Sequence, residues 1–237
     1  MPPSEQAGTR GLSASQRFLK RSFDLVFAGT VVVVFFPVMA VALIAATLDT
    51  RQNGLFSQVR IGRGGRAFRA YKIRTMRASP TVSTTVTTRL DPRITVLGRC
   101  LRKTKIDELP QFINVLLGDM SVVGPRPDVP GYADRLAGDD SIVLSVRPGI
   151  TGPATLFFRD EEALLAAQPD PERFNREWLW PAKICMNADY VRSYNFCEDL
   201  RLVLDTSLPF LTLSKASRAR RQLEPLDFTQ PLDLTPH

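Results

Sequence analysis

The sequence predicts an α+β fold, mostly helical, in which an N-terminal proline-broken re-entrant membrane helix and interfacial amphipathic helices carry a small cytosolic domain. Three observations predict it. Residues 25–48, LVFAGTVVVVFFPVMAVALIAATL, hold no charge and contain Pro37. Residues 51–77 contain eight basic side chains and no acidic one. From Leu109 onward, Phe112, Ile113, Leu116 and Leu117 repeat with the period of a helix.

The chain has 237 residues and a formal net charge of +7. Setting aside the apolar run and the ends leaves roughly 150 residues, enough for one soluble unit. The expected division is a disordered tail over 1–16, a membrane anchor over 17–50, a soluble domain with interfacial helices over 51–214, and a basic, then polar tail over 215–237. Cys100, Cys185 and Cys197 are odd in number and lack CxxC or ligand-like spacing, which argues against a disulfide framework or a zinc site and favours a reducing cytosolic face. The single histidine is His237, which argues against Ser–His–Asp, Cys–His and His-rich metal chemistry.

A straight helix over 25–48 would be about 36 Å long, enough to span a hydrocarbon core of about 30 Å. Pro37 sits near its middle, however, and removes a backbone donor. Arg17, Lys20 and Arg21 precede the run, and Arg51, Arg60 and Arg63 follow it. Positive charge on both flanks is most simply satisfied when both ends stay on one face, so a helix-break-helix that enters and returns is favoured over a kinked span or a buried core helix. The run exceeds a usual signal-peptide core and is expected to stay attached as an anchor. Asp24, at its start, could pair with Arg21 or Lys20.

After the anchor, the basic block 51–77 reads as a surface beside anionic lipid headgroups, or as a solvated loop. Within it, FSQVRIGRGGRAFRAYKIRTM (56–76) alternates apolar and basic positions around Gly62, Gly64 and Gly65, the pattern of a hairpin with Phe68, Tyr71 and Ile73 buried or facing lipid. The Ser/Thr-rich residues 79–88 read as a mobile loop. The helix from Leu109 has Pro110 suited to its first turn and Gly118 to its C-cap. Asp107 and Glu108 then fall at the helix N-terminus, where the dipole favours anions and both should remain ionised, as a nucleophile or metal ligand must. A lone Asp in that place would more often be a plain N-cap.

Pro125-Arg126-Pro127 and Arg147-Pro148-Gly149 each present a guanidinium from a stiff turn, able to clamp phosphate or simply to shape the turn. An acidic helical surface is expected near 160–165. The aromatics of 174–194 suit core packing. The apolar stretch 200–213, followed by Lys215, Arg218, Arg220 and Arg221, suits either a helix lying in the membrane interface or a core helix.

Several long motifs in order, Lys20-Arg21-x-x-Asp24 before the proline-broken run, FSQVRIGRGGRAFRAYKIRTM, LRKTKIDELPQFINVLLGDMSVVGPRP and RPGITGP, closely resemble the bacterial sugar transferases, the small monotopic polyprenol-phosphate phosphoglycosyl transferases. The resemblance runs from about residue 20 to 208. It implies transfer of a sugar 1-phosphate from a nucleotide diphosphate sugar to polyprenol phosphate, opening glycan or exopolysaccharide assembly on the inner leaflet of a bacterial cytoplasmic membrane, with the catalytic domain cytosolic. It implies that Asp107 is a nucleophile forming a covalent phosphosugar-enzyme and that Glu108 helps to hold Mg²⁺. It also implies phosphate contacts from Arg102, Arg147 and Arg126, roles for Lys72 and Arg74 toward the lipid phosphate or headgroups, and a membrane break at Pro37. Two departures stand out: Lys105 replaces a small hydroxyl residue common in the family, and PATLFFRDEEALL after Gly152 lacks a WQ-and-GR pattern many relatives share.

A different reading is a non-catalytic membrane-surface adaptor, which explains the basic block but not the placement of Asp107 and Glu108 among cationic residues. A nucleic-acid partner is not expected, because no helix-turn-helix, zinc-finger or RNA-binding signature accompanies the charge. The partners expected are the nucleotide diphosphate sugar, the polyprenol phosphate and membrane lipid; a homodimer is left open.

Overall fold

The structure, a computed structural model, describes residues 11–78, 91–208 and 212–223. The loop expected over 79–88 and the proline at 209 lie outside the described residues. Helix α1 (Ala14–Thr50) opens the fold. The hydroxyl of Ser13 accepts from the Gln16 amide at 3.3 Å while the Gln16 side chain accepts from the Ser13 amide at 2.8 Å, a reciprocal cap. Residues 14–16, assigned to the tail from sequence, are therefore the first turn of the helix.

The chain also stays helical through Pro37 instead of dividing into two arms there, which corrects the expected break. A proline removes one bond, that to the carbonyl four residues earlier, while the turns on either side keep theirs. In apolar surroundings, where backbone groups must be paired internally, continuing the ladder costs less than opening it. The 37-residue helix is about 55 Å long. By length and composition it is the helix among the described residues able to cross a membrane. Val26, Val33, Phe36, Val41, Ile44 and Leu48 project outward from it, exposed.

Strands β1 (Leu55–Ile61) and β2 (Ala67–Ile73) form the expected antiparallel hairpin, in register from Leu55 opposite Ile73 to Ile61 opposite Ala67. Its turn uses Gly64 and Gly65, both in the left-handed region. Ile73 is buried; Phe68 and Tyr71 are partly so.

Helix α2 (Val96–Lys103), capped by the Thr95 hydroxyl, leads through a 3₁₀ turn (Ile106–Glu108) into α3 (Gln111–Leu117), which ends at Gly118 with φ 92° as the sequence suggests. The helix thus starts two residues later than its apolar period, and its orientation differs from a simple core helix. Gln111, Asn114 and Val115 face inward, whereas Ile113 and Leu117 are exposed. The polar inner face is explained by its bonds: the Asn114 side chain accepts from the Tyr71 amide at 3.0 Å and donates to the Arg69 carbonyl at 2.7 Å, extending the edge of β2. The apolar outer face lies beside α1, where Phe112 meets Phe27 with ring centroids 6.1 Å apart.

Strands β3 (Ser121–Val123) and β4 (Gly149–Thr151) pair in parallel and bring the two arginine-bearing turns together. Gly149 donates to the Pro125 carbonyl at 2.8 Å and Gly124 to the Thr151 carbonyl at 2.9 Å. A Cβ at Gly149 would stand 2.1 Å from the Gly124 nitrogen, so only glycine permits this approach. Short helices α4 (Pro153–Phe157), α5 (Glu161–Ala166) and α6 (Pro171–Phe174) follow. A π turn (Asn175–Leu179) continues into α7 (Trp180–Arg192), then α8 (Phe196–Ser207) and α9 (Lys215–Leu223). The main core gathers Val115, Met120, Val123, Ile184, Val191 and Leu202. Helix α8 buries Leu202 and Val203 while exposing Leu200, Leu204 and Leu208. It therefore has a core face and an exposed apolar face. Residues 215–223, expected as tail, are helical, and Arg220 bonds Asp160 and the Phe157 carbonyl.

Candidate active site

Lys105 adopts a left-handed conformation, φ 57°, at the end of α2, and this turns the chain into the 3₁₀ turn. Such a conformation costs a non-glycine residue roughly 1–2 kcal/mol and persists only where the surroundings enforce it. Its consequence is to aim Asp107 and Glu108 inward: they are 6% and 9% exposed. They occupy the turn before α3 and not its first turn.

The two carboxylates meet different surroundings. Glu108 receives Lys72 Nζ at 3.2 Å and is paired with Arg126. Burial alone would raise its pKa, but Arg126 and then Lys72 hold it well below the usual carboxylate range. Asp107 Oδ1 is buried and accepts no hydrogen bond. Burial, and then the charge of Glu108, push its pKa up to about 6, against the opposing pull of Lys72, Arg102 and Lys105. The expectation that both acids remain fully ionised therefore fails for Asp107 near that pH. The helix dipole of a seven-residue helix one turn away is outweighed by desolvation beside a second carboxylate.

Of the other candidates, Lys72 and Arg126 join the dyad directly. Arg102 is close enough to influence Asp107 but is paired with Glu162 of α5. Arg74 lies apart: its Nε donates to the Asn53 carbonyl at 2.7 Å and its guanidinium stands 5.2 Å from the Phe56 ring centroid. Arg147 is also elsewhere. Its Nε donates to the Gly118 carbonyl at 2.7 Å, beside Arg21, which donates to the carbonyls of Val115 and Leu116, so both arginines cap the C-terminal end of α3. With Arg17 and Arg63 they line a separate basic pocket. Pro37 sits in α1, which supports the site from outside.

Residues given no site role from sequence also belong here. Gln111 is buried with its Nε2 unbonded, and Arg60, which donates to the Pro127 carbonyl at 3.2 Å, adds charge near Arg126 and Asp128. Asp128 accepts from Trp180 Nε1 at 3.1 Å, tying the Pro-Arg-Pro turn to α7. Arg60 and Gln111 lie inside the motifs read from the sequence, but nothing in those motifs marks them for the site; an unpaired buried polar atom shows only when the chain is folded.

A pair of adjacent buried carboxylates, one with a free acceptor, suits a hard divalent cation that also takes phosphate oxygens. Among the described residues, no group of three or more His, Cys, Asp or Glu could hold a metal without such additional ligands. Chemically the arrangement offers a desolvated carboxylate for attack and cations for phosphate oxygens.

Residues 15–212 match the family described as bacterial sugar transferase. The chain is 35% identical over 203 residues to the UDP-glucose:undecaprenyl-phosphate glucose-1-phosphate transferase of Caulobacter vibrioides, covering 83% of this chain and 71% of that protein. It is 34% identical over 209 residues to the Escherichia coli K12 protein of the same name, covering 86% of this chain and 41% of that protein. It is 33% identical over 205 residues to the exopolysaccharide production protein PSS of Rhizobium leguminosarum bv. phaseoli, covering 83% and 97%. Because the family match takes in the long apolar helix, the hairpin, the acid dyad and both arginine turns together, the chain belongs to the bacterial sugar transferase family.

Proposed function

We propose that this chain transfers a sugar 1-phosphate from a UDP-sugar to undecaprenyl phosphate or a similar polyprenol phosphate, at the cytosolic face of a bacterial inner membrane, beginning glycan or exopolysaccharide assembly. The observation that carries this is Asp107: a buried carboxylate with an unbonded oxygen beside Glu108, Lys72 and Arg126. The names of the relatives supply the substrate class.

Asp107 attacks the sugar-proximal phosphorus. The bond from that phosphorus to the bridging oxygen breaks, and the uridine monophosphate leaves with the electron pair. The sugar-phosphoryl aspartate is then attacked by an oxygen of the polyprenol phosphate, which regenerates the carboxylate. Splitting the displacement this way lets one site serve a soluble donor and a lipid acceptor in turn. Arg126 and Lys72 receive the phosphate oxygens, and as they do so they loosen their hold on Glu108. Glu108 would then help to hold Mg²⁺, which when bound would neutralise diphosphate charge and ease departure of the leaving phosphate.

The membrane reading rests on exposed apolar surface. The outer residues of α1, Ile113 and Leu117 of α3, and Leu200, Leu204 and Leu208 of α8 are too extensive a set for a water-facing surface. We read α1 as a re-entrant anchor that enters and leaves one membrane face while its helix continues through Pro37, with α3 and α8 at the interface and 51–214 as the catalytic unit in the cytosol. Basic residues on both flanks favour this over a span.

The test is release of uridine monophosphate from a panel of UDP-sugars by the full chain in nanodiscs with Mg²⁺ and undecaprenyl phosphate, wild type against Asp107→Asn. Lipid-dependent release lost in the variant supports the reading and names the sugar. Mass spectrometry without acceptor should find a phosphosugar on Asp107; acceptor-dependent release with no such adduct would sink the covalent route in favour of a concerted one.

A further inference from the structure

We propose that the basic pocket between the start of α1, the hairpin turn and the end of α3 is a second phosphate site, which binds the phosphate of an anionic lipid headgroup and closes on it with Arg17 and Arg63. The proposal takes its lipid source from the membrane reading above and does not depend on the transfer reaction. The pocket is lined by Arg17, Lys20 and Arg21 of α1, by Arg63 of the hairpin turn and by Arg147, with Asp24 the one carboxylate among them. It shares no residue with the Asp107–Glu108 dyad or with the cations that pair there.

Charge in this pocket is unbalanced. Lys20 is matched by Asp199 at 2.6 Å, and Asp24 is committed to the Ser121 hydroxyl and the Val122 amide. Four guanidiniums therefore face one carboxylate. Burial, and then the charges of Arg63 and Arg21, lower the pKa of Arg147 against the pull of Asp24, so these cations stand near enough to repel one another. An anion among them relieves that repulsion. Arg21 and Arg147 are fixed by the carbonyls at the end of α3, whereas the side chains of Arg17 and Arg63 make no hydrogen bond or ion pair among the described residues. Two guanidiniums are thus held in place and two are available to a ligand, and the guanidinium fork matches the oxygens of a phosphate. The pocket is shallow, so it seats phosphate oxygens while the ester substituents stay outside.

Its surroundings favour a lipid as the source of that phosphate. Phe18, next to Arg17, is 76% exposed, and Leu117, next to the Gly118 whose carbonyl receives Arg147, is 65% exposed. Both belong to the apolar surface read above as facing the membrane. The pocket lies where that surface ends, at the level where headgroup phosphates stand and attract basic side chains. A soluble phosphate needs no apolar rim.

The test is titration calorimetry on the full chain in neutral-detergent micelles with short-chain phosphatidylglycerol, short-chain phosphatidylcholine and sodium phosphate. Phosphatidylglycerol should bind more tightly than either of the others by about tenfold or more. Arg17→Gln with Arg63→Gln should weaken it by about tenfold, and Arg63→Gln alone serves if the double variant fails to fold. Arg66→Gln with Arg69→Gln removes two exposed charges from the same hairpin outside the pocket and should change the Kd by less than about twofold. Equal losses in the two double variants overturn the site in favour of a diffuse basic surface. Sodium phosphate bound as tightly as the lipid overturns the lipid source, and folded wild type that binds no phosphatidylglycerol overturns the site outright. Flotation separates these failures from that of the membrane reading. If wild type floats with phosphatidylcholine vesicles while an overturning result is found, only the site falls; if it floats with neither phosphatidylcholine nor phosphatidylglycerol vesicles, the membrane reading falls with it.

Discussion

Asp199 is fully buried, yet its carboxylate receives Lys20 Nζ at 2.6 Å, the Tyr190 hydroxyl at 2.7 Å and the Tyr194 hydroxyl at 3.2 Å. Asp24, also buried, accepts from the Ser121 hydroxyl at 3.0 Å and the Val122 amide at 2.8 Å. Asp107 is almost as deeply buried, and one of its oxygens accepts nothing. The first two acids are held by partners that fasten α1 to α8 and to β3. The third is left with uncompensated desolvation, which stability alone does not justify. Polar satisfaction separates these two acids, which hold the fold, from Asp107, the acid we propose reacts.

The sharpest break of that comparison is Asp107→Asn. Removing a nucleophile should lower turnover by on the order of 10⁴-fold or more, read as nucleotide release in nanodiscs. A loss under tenfold would return Asp107 to the role of a turn residue. At the other pole, Lys20→Met should leave Asp199 buried without its cation and cost about 3–5 kcal/mol in denaturant unfolding. Stability within 1 kcal/mol of wild type would show that the tyrosines suffice.

Between the poles stands Arg126→Ala, which strips the stronger cation from Glu108 and from the donor phosphates. It should reduce kcat/KM by about 10²-fold, the scale of one electrostatic contact in an enclosed site. Losing stability but no activity would make Arg126 a structural partner only.

The pH dependence of Asp107 sharpens the contrast from the other side. Its folded pKa of about 6 stands above the ordinary 3.8, so between those values the folded state binds more proton than the unfolded. Stability therefore falls as pH rises through that window, and above it the full penalty is present. At pH 7.5, Asp107→Asn should be more stable than wild type by about 1–3 kcal/mol. Single-turnover release by wild type should instead rise with pH to a plateau above about 6, being about tenfold lower one unit beneath it. A flat profile from pH 5 to 8 would contradict the raised pKa. The smallest effect belongs to Arg74→Ala, since that arginine packs on Phe56 away from the dyad; activity should change by less than about threefold.

What could be read from residue order was local. The hairpin followed from alternation around glycines, the end of α3 from Gly118, and the long apolar helix from 24 uncharged residues, because each depends on neighbours within a few positions. Asp107 and Glu108 stood out by their adjacency among cations. The inward polar face of α3 was not legible: Asn114 is explained only by the backbone of Tyr71 and Arg69 in another element. Arg147 looked like Arg126 as a tripeptide, and only the folded chain sends one to the end of α3 and the other to Glu108.

By itself, then, the sequence determined the elements, the long apolar helix and the adjacency of Asp107 and Glu108 among cations, since periodicity, turn chemistry and charge spacing act along the chain. Tertiary structure decided the rest: that α1 stays helical across Pro37, that Lys20 finds Asp199 across 179 positions, and that Asp107 but not Asp199 lacks a partner. The physical reason is that desolvation and hydrogen-bond satisfaction depend on which distant groups share a volume, and residue order leaves that volume open until the chain has packed.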